Sequence, residues 1–287
     1  MRRSGKILLI IAACFLVFGI LLAVGSGIAL RNTGMHWWRN DTNATAVTTQ
    51  FAEMDSINSL SLTLVNEPIF IVSGGDRVTI EWSQRYDGQY RLTQREGQSL
   101  SLSRQPSGRR NHNVFGIGWF QPNWRGISGI EDASDRPVTV TIPEGMSLSE
   151  IDLSGADIRV SMDNIYVRDL EISGANTIVS LTNVDARDIE IFGANAEVTL
   201  TQVSSGSIEV SGANATLELR ETVADDIEVN GASAVATAYL ESIDGWGFDV
   251  SGLNSELRVD GQRAGGIRGS RTISVSGLNA ILNVWTR

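Results

Sequence analysis

The sequence predicts an all-β chain: a parallel β-solenoid of 19-residue coils, wound right-handed and preceded by one N-terminal transmembrane helix. Three observations carry that expectation. Gly155, Gly174, Gly193, Gly212 and Gly231 stand nineteen positions apart, each in a near-copy of Ser-Gly-Ala-Asn, and Gly252 and Gly277 follow at intervals of 21 and 25. A fixed period of this length marks stacked repeats that bury their apolar faces against one another. Apolar and polar residues alternate at Leu60–Leu64, Val78–Trp82 and Val138–Ile142, the signature of half-buried strands. Beyond the N-terminal run, no stretch sustains a 3.6-residue apolar period. The right-handed winding follows from the strong preference of parallel crossovers for that hand.

The elements follow in order. Residues 1–6 read as a cytoplasmic tail, because Arg2, Arg3 and Lys6 precede an uncharged run over 7–30. That run exceeds the roughly 20 residues a helix needs to cross a bilayer. Trp37 and Trp38 stand where an outer aromatic belt would lie. Ala23-Val24-Gly25 offers a rival reading as a signal-peptide cleavage site, and Ile11–Cys14 a fainter one as a lipoprotein box. All three readings put the rest of the chain outside the cytoplasm, anchored to or released from the cell membrane. Residues 31–50 read as a polar linker, 51–150 as an irregular β region, and 151–287 as the repeat solenoid.

Strand patterning lapses over 106–137, a segment that carries Arg109, Arg110, Phe115, Trp119, Phe120 and Trp124. A pattern-free stretch this long is expected to be a binding loop, or an insertion whose aromatics fold back over the end of the solenoid.

One coil, Ile208 to Asp226, shows the expected geometry. Ile208 and Val210 point inward; the parity then flips, so Ala213, Ala215, Leu217 and Leu219 become the inward set on a second wall. Ser211 and Gly212 mark the bend, with glycine supplying dihedrals that other residues resist. A second corner is expected near Arg220–Thr222, before the chain returns to Ile227 one layer on. Ile151, Leu170, Ile189, Ile208, Ile227, Phe248 and Ile273 make one inward column in chain order; Val160, Val179, Val198, Leu217, Ala236, Leu257 and Leu282 make another.

Outward columns are where chemistry would sit. Asp152, Glu171, Glu190, Glu209, Glu228 and Asp249 share one position in six coils. Stacked like charges repel, so the column is either bridged by a hard divalent cation such as Ca²⁺ or simply a solvated face that keeps the protein soluble. Asn176, Asn195, Asn214, Asn254 and Asn279 form a second column, read as a structural amide ladder at a corner. Arg159, Arg168 and Arg187 with Asp169 and Asp188 form a mixed charge group, the nearest approach to a polysaccharide enzyme's wall, and read as a surface ion-pair network.

Net charge −10 argues against a nucleic-acid partner, and the single cysteine excludes a disulfide framework or cysteine-based zinc site. The two histidines, His36 and His112, lack metal-ligand spacing; no nucleophile elbow, P-loop or dinucleotide fingerprint is present. No catalytic residue and no cofactor is expected.

The phrase Val138-Thr139-Val140-Thr141-Ile142-Pro143-Glu144-Gly145, followed by tandem Ile-Glu-Val-Ser-Gly-Ala-Asn repeats, resembles the bacterial "putative adhesin" family of membrane-anchored β-strand-repeat domains of unknown function, over residues 50–287. The resemblance implies a membrane-anchored, cell-envelope protein with no catalytic residues to carry over; the expected function is non-enzymatic binding or scaffolding, adhesin-like or as an envelope-stress accessory, with a cell-wall polymer, a membrane protein or another copy of itself as ligand. The alternative is a solenoid enzyme acting on cell-wall or other polysaccharide.

Overall fold

Short alternating segments become short strands in the structure, a computed structural model that describes residues 48–84, 87–105 and 136–286. They are β1 (Thr48–Met54), β2 (Ser59–Thr63), β3 (Pro68–Ser73), β4 (Val78–Gln84), β5 (Tyr90–Arg95), β6 (Ser99–Arg104) and β7 (Val138–Ile142). The repeats form long, repeatedly bent strands: β8 (Ser147–Thr201), β9 (Ser204–Arg220), β10 (Val223–Leu240), β11 (Trp246–Val259), the short β12 (Gln262–Ala264) and β13 (Arg271–Thr286). All thirteen lie in one open sheet of mixed parallel and antiparallel strands, solenoid-like, and the described residues contain no helix. Among those residues no helix is therefore long and apolar enough to cross a membrane; the expected span over 7–30 lies outside them.

Layers repeat at nineteen residues where the register is continuous: Ile189 pairs with Ile208, and Ile208 with Ile227, all parallel. Within a coil the buried positions are Ile208 and Val210, then Ala215, Leu217 and Leu219, then Thr222 and Ala224. Each break between these groups is a place where inward parity slips. The coil therefore has three sides, here named A, B and C, rather than the two walls expected. Side C escaped notice because it is only two inward residues long and often small: Val184 and Ala186, then Thr222 and Ala224. Its ladder is nonetheless regular, with Ala186 opposite Ser205 and Ser205 opposite Ala224.

The A/B corner also differs from expectation. Ala213 is exposed, as are its counterparts Ala156, Ala175, Ala194 and Ala232, so the inward series resumes only at Ala215. Four residues, Ser211 to Asn214, are needed to carry the chain round. Gly212 does not take a left-handed conformation, so dihedral freedom is not its role. A Cβ on Gly231 would lie 2.6 Å from the carbonyl oxygen of Gly212, and one on Gly212 would overlap that of Gly193. Glycine is required because adjacent layers touch backbone to backbone.

Positive φ at non-glycine residues belongs instead to the B/C corner, and Gly252 is the exception among the A/B-corner glycines. Asn164, Asn183, Gln202 and Glu221 all have φ between 50° and 59°, a second nineteen-residue column. A left-handed conformation costs an L-residue about 1–2 kcal/mol, less for Asn. Gln202→Gly is accordingly expected to leave the urea midpoint unchanged or higher, whereas Gln202→Val should lose about 1–2 kcal/mol, since β-branched residues fit that region worst.

The order of layers departs from the order of the chain at both ends. The β2–β3 coil lies directly on the first β8 coil, with Leu60 opposite Ile151 and Ile69 opposite Val160, so the ladder crosses position 150 unbroken. Beneath it lie β6 and β7, where Leu100 meets Leu60 and Val138 meets Ile69. Then come β5 and β4, antiparallel to β6 and β7, and β1 antiparallel to β4. Thus β6 and β7 are inserted between pairs of strands that precede them. At the other end β13 is inserted between β10 and β11: Ile227 pairs with Ile273, and Ile273 with Phe248. The inward column expected as 227, 248, 273 runs 227, 273, 248. Antiparallel strands close both ends, with β12 on β11 and a bridge from Phe248 to Ile267, which limits the parallel edges offered to other chains.

Candidate functional site

Side A presents the acidic column. Polar residues alternate with the buried Ile and Val, so Asp152, Glu171, Glu190, Glu209 and Glu228 project outward from successive layers. The column is not six layers long without interruption. Because β13 is inserted, Ser274 separates Glu228 from Asp249, and at the other end Ser61 adjoins Asp152. Serines at both ends dilute a run of five like charges. Glu209 also accepts a hydrogen bond from the Ser211 hydroxyl at 2.8 Å. Among the described residues no group of three or more His, Cys, Asp or Glu side chains is placed to hold a metal ion.

Adjacent like charges on neighbouring strands cost a few tenths to about 1 kcal/mol. Glu190 stands between Glu171 and Glu209, so Glu190→Gln should raise the urea midpoint by that amount at low salt. The gain should shrink in 1 M salt, where screening acts over about 3 Å.

Two residues before that column runs another the sequence reading did not single out: Glu150, Asp169, Asp188, Ser207 and Asp226. Its signal was present as Asp188-Ile189-Glu190 and Asp226-Ile227-Glu228, a carboxylate on each flank of one buried residue. Arg187 neutralises part of it, bonding Asp188 through Nε at 2.6 Å and Asp169 through a terminal nitrogen at 2.7 Å. These partners, first the Asp188 hydrogen bond and then the Asp169 charge, hold the Arg187 guanidinium above its ordinary pKa. Arg168 pairs with Asp169 at 2.9 Å. The expected network is therefore present for Arg168, Arg187, Asp169 and Asp188. Arg159 is not part of it, because it lies on side B beside Pro68, across the corner from side A. A depression of about 160 Å³ is lined by Glu150, Asp169, Glu171, Arg187, Asp188 and Glu190. Asp169 and Asp188 are both tied there to Arg187.

The corner asparagines form the expected ladder. Asn214 donates to Asn195 at 2.8 Å, Asn195 to Asn176 at 2.8 Å and Asn176 to Asp157 at 2.5 Å. Beyond Ser233 the ladder resumes as Asn254 donating to Asn279 at 2.9 Å. Near the far end, Arg258 and Arg263 pair with Glu256, and chiefly the Arg258 hydrogen bond holds the Glu256 carboxyl below its ordinary range.

Arg109, Arg110, Phe115, Trp119, Phe120 and Trp124 lie outside the described residues. The described strands that flank their segment, β6 and β7, belong to sides A and B of one layer. One layer away, at the A/B corner, stands a carboxylate the sequence reading missed. Glu67 is 2% exposed. Its Oε1 accepts from the Tyr90 hydroxyl at 2.5 Å and from Arg104 at 2.8 Å; its Oε2 accepts from the amides of Val65 and Asn66 at 2.8 and 3.1 Å. All four donors point at one group, and the charge is satisfied within the fold.

The profile of the Toastrack DUF4097 family matches residues 57–235. The match spans the stack from the approach to β2 into β10, and ends before β11 and β13. Among solved structures, a chain described as a "putative cell adhesion protein" from Clostridium sporogenes is similar at 10% identity and a TM-score of 0.28, over 84% of this chain and 100% of that one. No curated protein matches the chain by sequence.

Proposed function

The chain belongs to the Toastrack DUF4097 family, and from that premise we propose that it is a non-enzymatic, membrane-anchored protein whose extracytoplasmic β-solenoid binds or scaffolds components of the cell envelope. One observation carries the reading. The outer surface repeats its chemistry over several successive layers, carboxylates on side A and amides at the A/B corner. With layers about 4.8 Å apart, such a surface suits a partner that engages several layers at once, a cell-wall polymer or a membrane protein. Anchoring rests on the uncharged run over 7–30 behind Arg2, Arg3 and Lys6.

Protease added to intact cells tests the placement, and cross-linking in those cells tests the binding. The reading expects the tagged C-terminal body to be cleaved while cytoplasmic markers stay whole, and an envelope polymer or membrane protein to be captured. Protection of the body, or its recovery in the soluble cytoplasmic fraction, would overturn the placement. Purified chain incubated with cell-wall polysaccharide should release no new reducing ends. Release that disappears in Asp169→Asn would replace the binding reading with an enzymatic one.

A further inference from the structure

We propose that the C-terminal coil, residues 271–286, is an exchangeable segment: the slot between β10 and β11 accepts it from its own chain or from a second copy, so that the protein self-associates by swapping it. The inference does not rest on the envelope reading.

The ladder itself makes the slot optional. Ile273 stands between Ile227 and Phe248, Gly277 between Gly231 and Gly252, and Leu282 between Ala236 and Leu257. Taking β13 away leaves β10 and β11 facing each other in matched register, apolar against apolar and glycine against glycine. The chain therefore has a closed arrangement without its last coil and another with it. Five residues, 241–245, join β10 to β11 directly, so β11 can reach β10 before residues 271–286 arrive.

The segment's tether also permits exchange. Residues 260–270 connect β11 to β13, carry Gly261, Gly265, Gly266 and Gly269, and are exposed except for partial cover at Ala264 and Ile267. Opening them would cost the short β12 pairing on β11 and the Phe248–Ile267 bridge, but would expose no fully buried side chain of the tether. What keeps β13 seated is its parallel ladder to β10 on one flank and to β11 on the other, the burial of Ile273, Val275, Ala280, Leu282 and Val284, and a few bonds at its margins. Thr286 bonds Asp260 through its amide at 2.8 Å and its hydroxyl at 2.9 Å, and Ser276 bonds Asn230 at 2.5 Å. Every one of these contacts would be reproduced by the same residues of another copy. An identical element reached by a long, exposed tether is the usual setting for domain swapping.

Thr237 and Asn283 are opposite neighbours on β10 and β13, and both face outward. Their Cα atoms should be about 4.8 Å apart, within the span a disulfide bridges. In the full chain in detergent, with Cys14→Ser throughout, T237C and N283C copies are mixed, passed through mild denaturant, returned and oxidised. The proposal expects a covalent dimer in this matched pair and only background in a mixture of T237C with S255C, whose positions are not neighbours. It further expects the double variant T237C/N283C to form the bond within one chain and to lose self-association on sedimentation. A matched pair no better than the unmatched one would show that β13 seats only in its own chain, and would overturn the proposal. Failure of the double variant to close would overturn the layer order beneath it.

Discussion

Gly212→Ala is expected to destabilise the protein by about 3 kcal/mol or more, at the upper end of what overpacking costs. The added Cβ would overlap the carbonyl oxygen of Gly193 in the adjacent layer. Clashes with flexible side chains relax cheaply; this one does not. The Gly193 carbonyl belongs to a backbone held by parallel pairing at Phe192–Ser211 on one flank and Asn195–Asn214 on the other, so it cannot retreat without breaking the ladder. Gly212 has no left-handed φ, so the loss would measure contact rather than dihedral strain. Its neighbour Ala213 is exposed, and Ala213→Ser should change stability by no more than about 0.5 kcal/mol. Urea unfolding of the pair decides the matter. A small loss at 212 would mean that the layers are not in backbone contact at the corner.

Much of this architecture was legible because a stack repeats its constraints. Each repeat layer needs an apolar residue in the Ile208 column and no side chain in the Gly212 column, so the period and the inward columns of sides A and B appear in the sequence without any structure. Side C was hard to read for a physical reason: two inward positions give little alternation to detect, and the apolar Ile165, Val167, Val184 and Val203 give way in their columns to Ala186, Ser205, Thr222 and Ala224. The left-handed column was half visible as Asn164 and Asn183 and then concealed by Gln202 and Glu221, which accept the same conformation at a cost.

The order of layers could not be read at all. A parallel ladder requires only matched register, and Ile273 fits on Ile227 as well as Phe248 would. Repetition, which makes the fold easy to recognise, makes the coils interchangeable and leaves their order to the connectors. The outward surface suffers likewise: the acidic column was found, but its serine breaks at Ser61 and Ser274 depend on which layers adjoin.

Glu67→Ala should cost about 3 kcal/mol or more, because it removes the buried acceptor of the Tyr90 hydroxyl, the Val65 and Asn66 amides and the half-buried Arg104, at about 1–3 kcal/mol for each buried donor that loses its acceptor. The residue gave no sign in the sequence, where it is a lone acid between β2 and β3. Its importance comes from the end of the glycine column. Gly155 packs on Leu64, and a Cβ there would lie 2.6 Å from the Leu64 carbonyl oxygen. The next corner has no glycine phrase of its own and instead gathers the Val65 and Asn66 amides onto a carboxylate. Through Tyr90 of β5 and Arg104 of β6, the same carboxylate ties in strands from the two layers beyond. Alanine would remove the shared acceptor from all four donors, one of them a cation. Truncating both ends of the pair should hurt less than the sum of its parts, because Glu67→Leu with Arg104→Met removes the charge that would otherwise be left uncompensated. A double-mutant cycle read by urea unfolding should therefore give a coupling of about 1–3 kcal/mol. Strict additivity would mean that Arg104 does not supply the countercharge, leaving Tyr90 and the two amides to hold the corner.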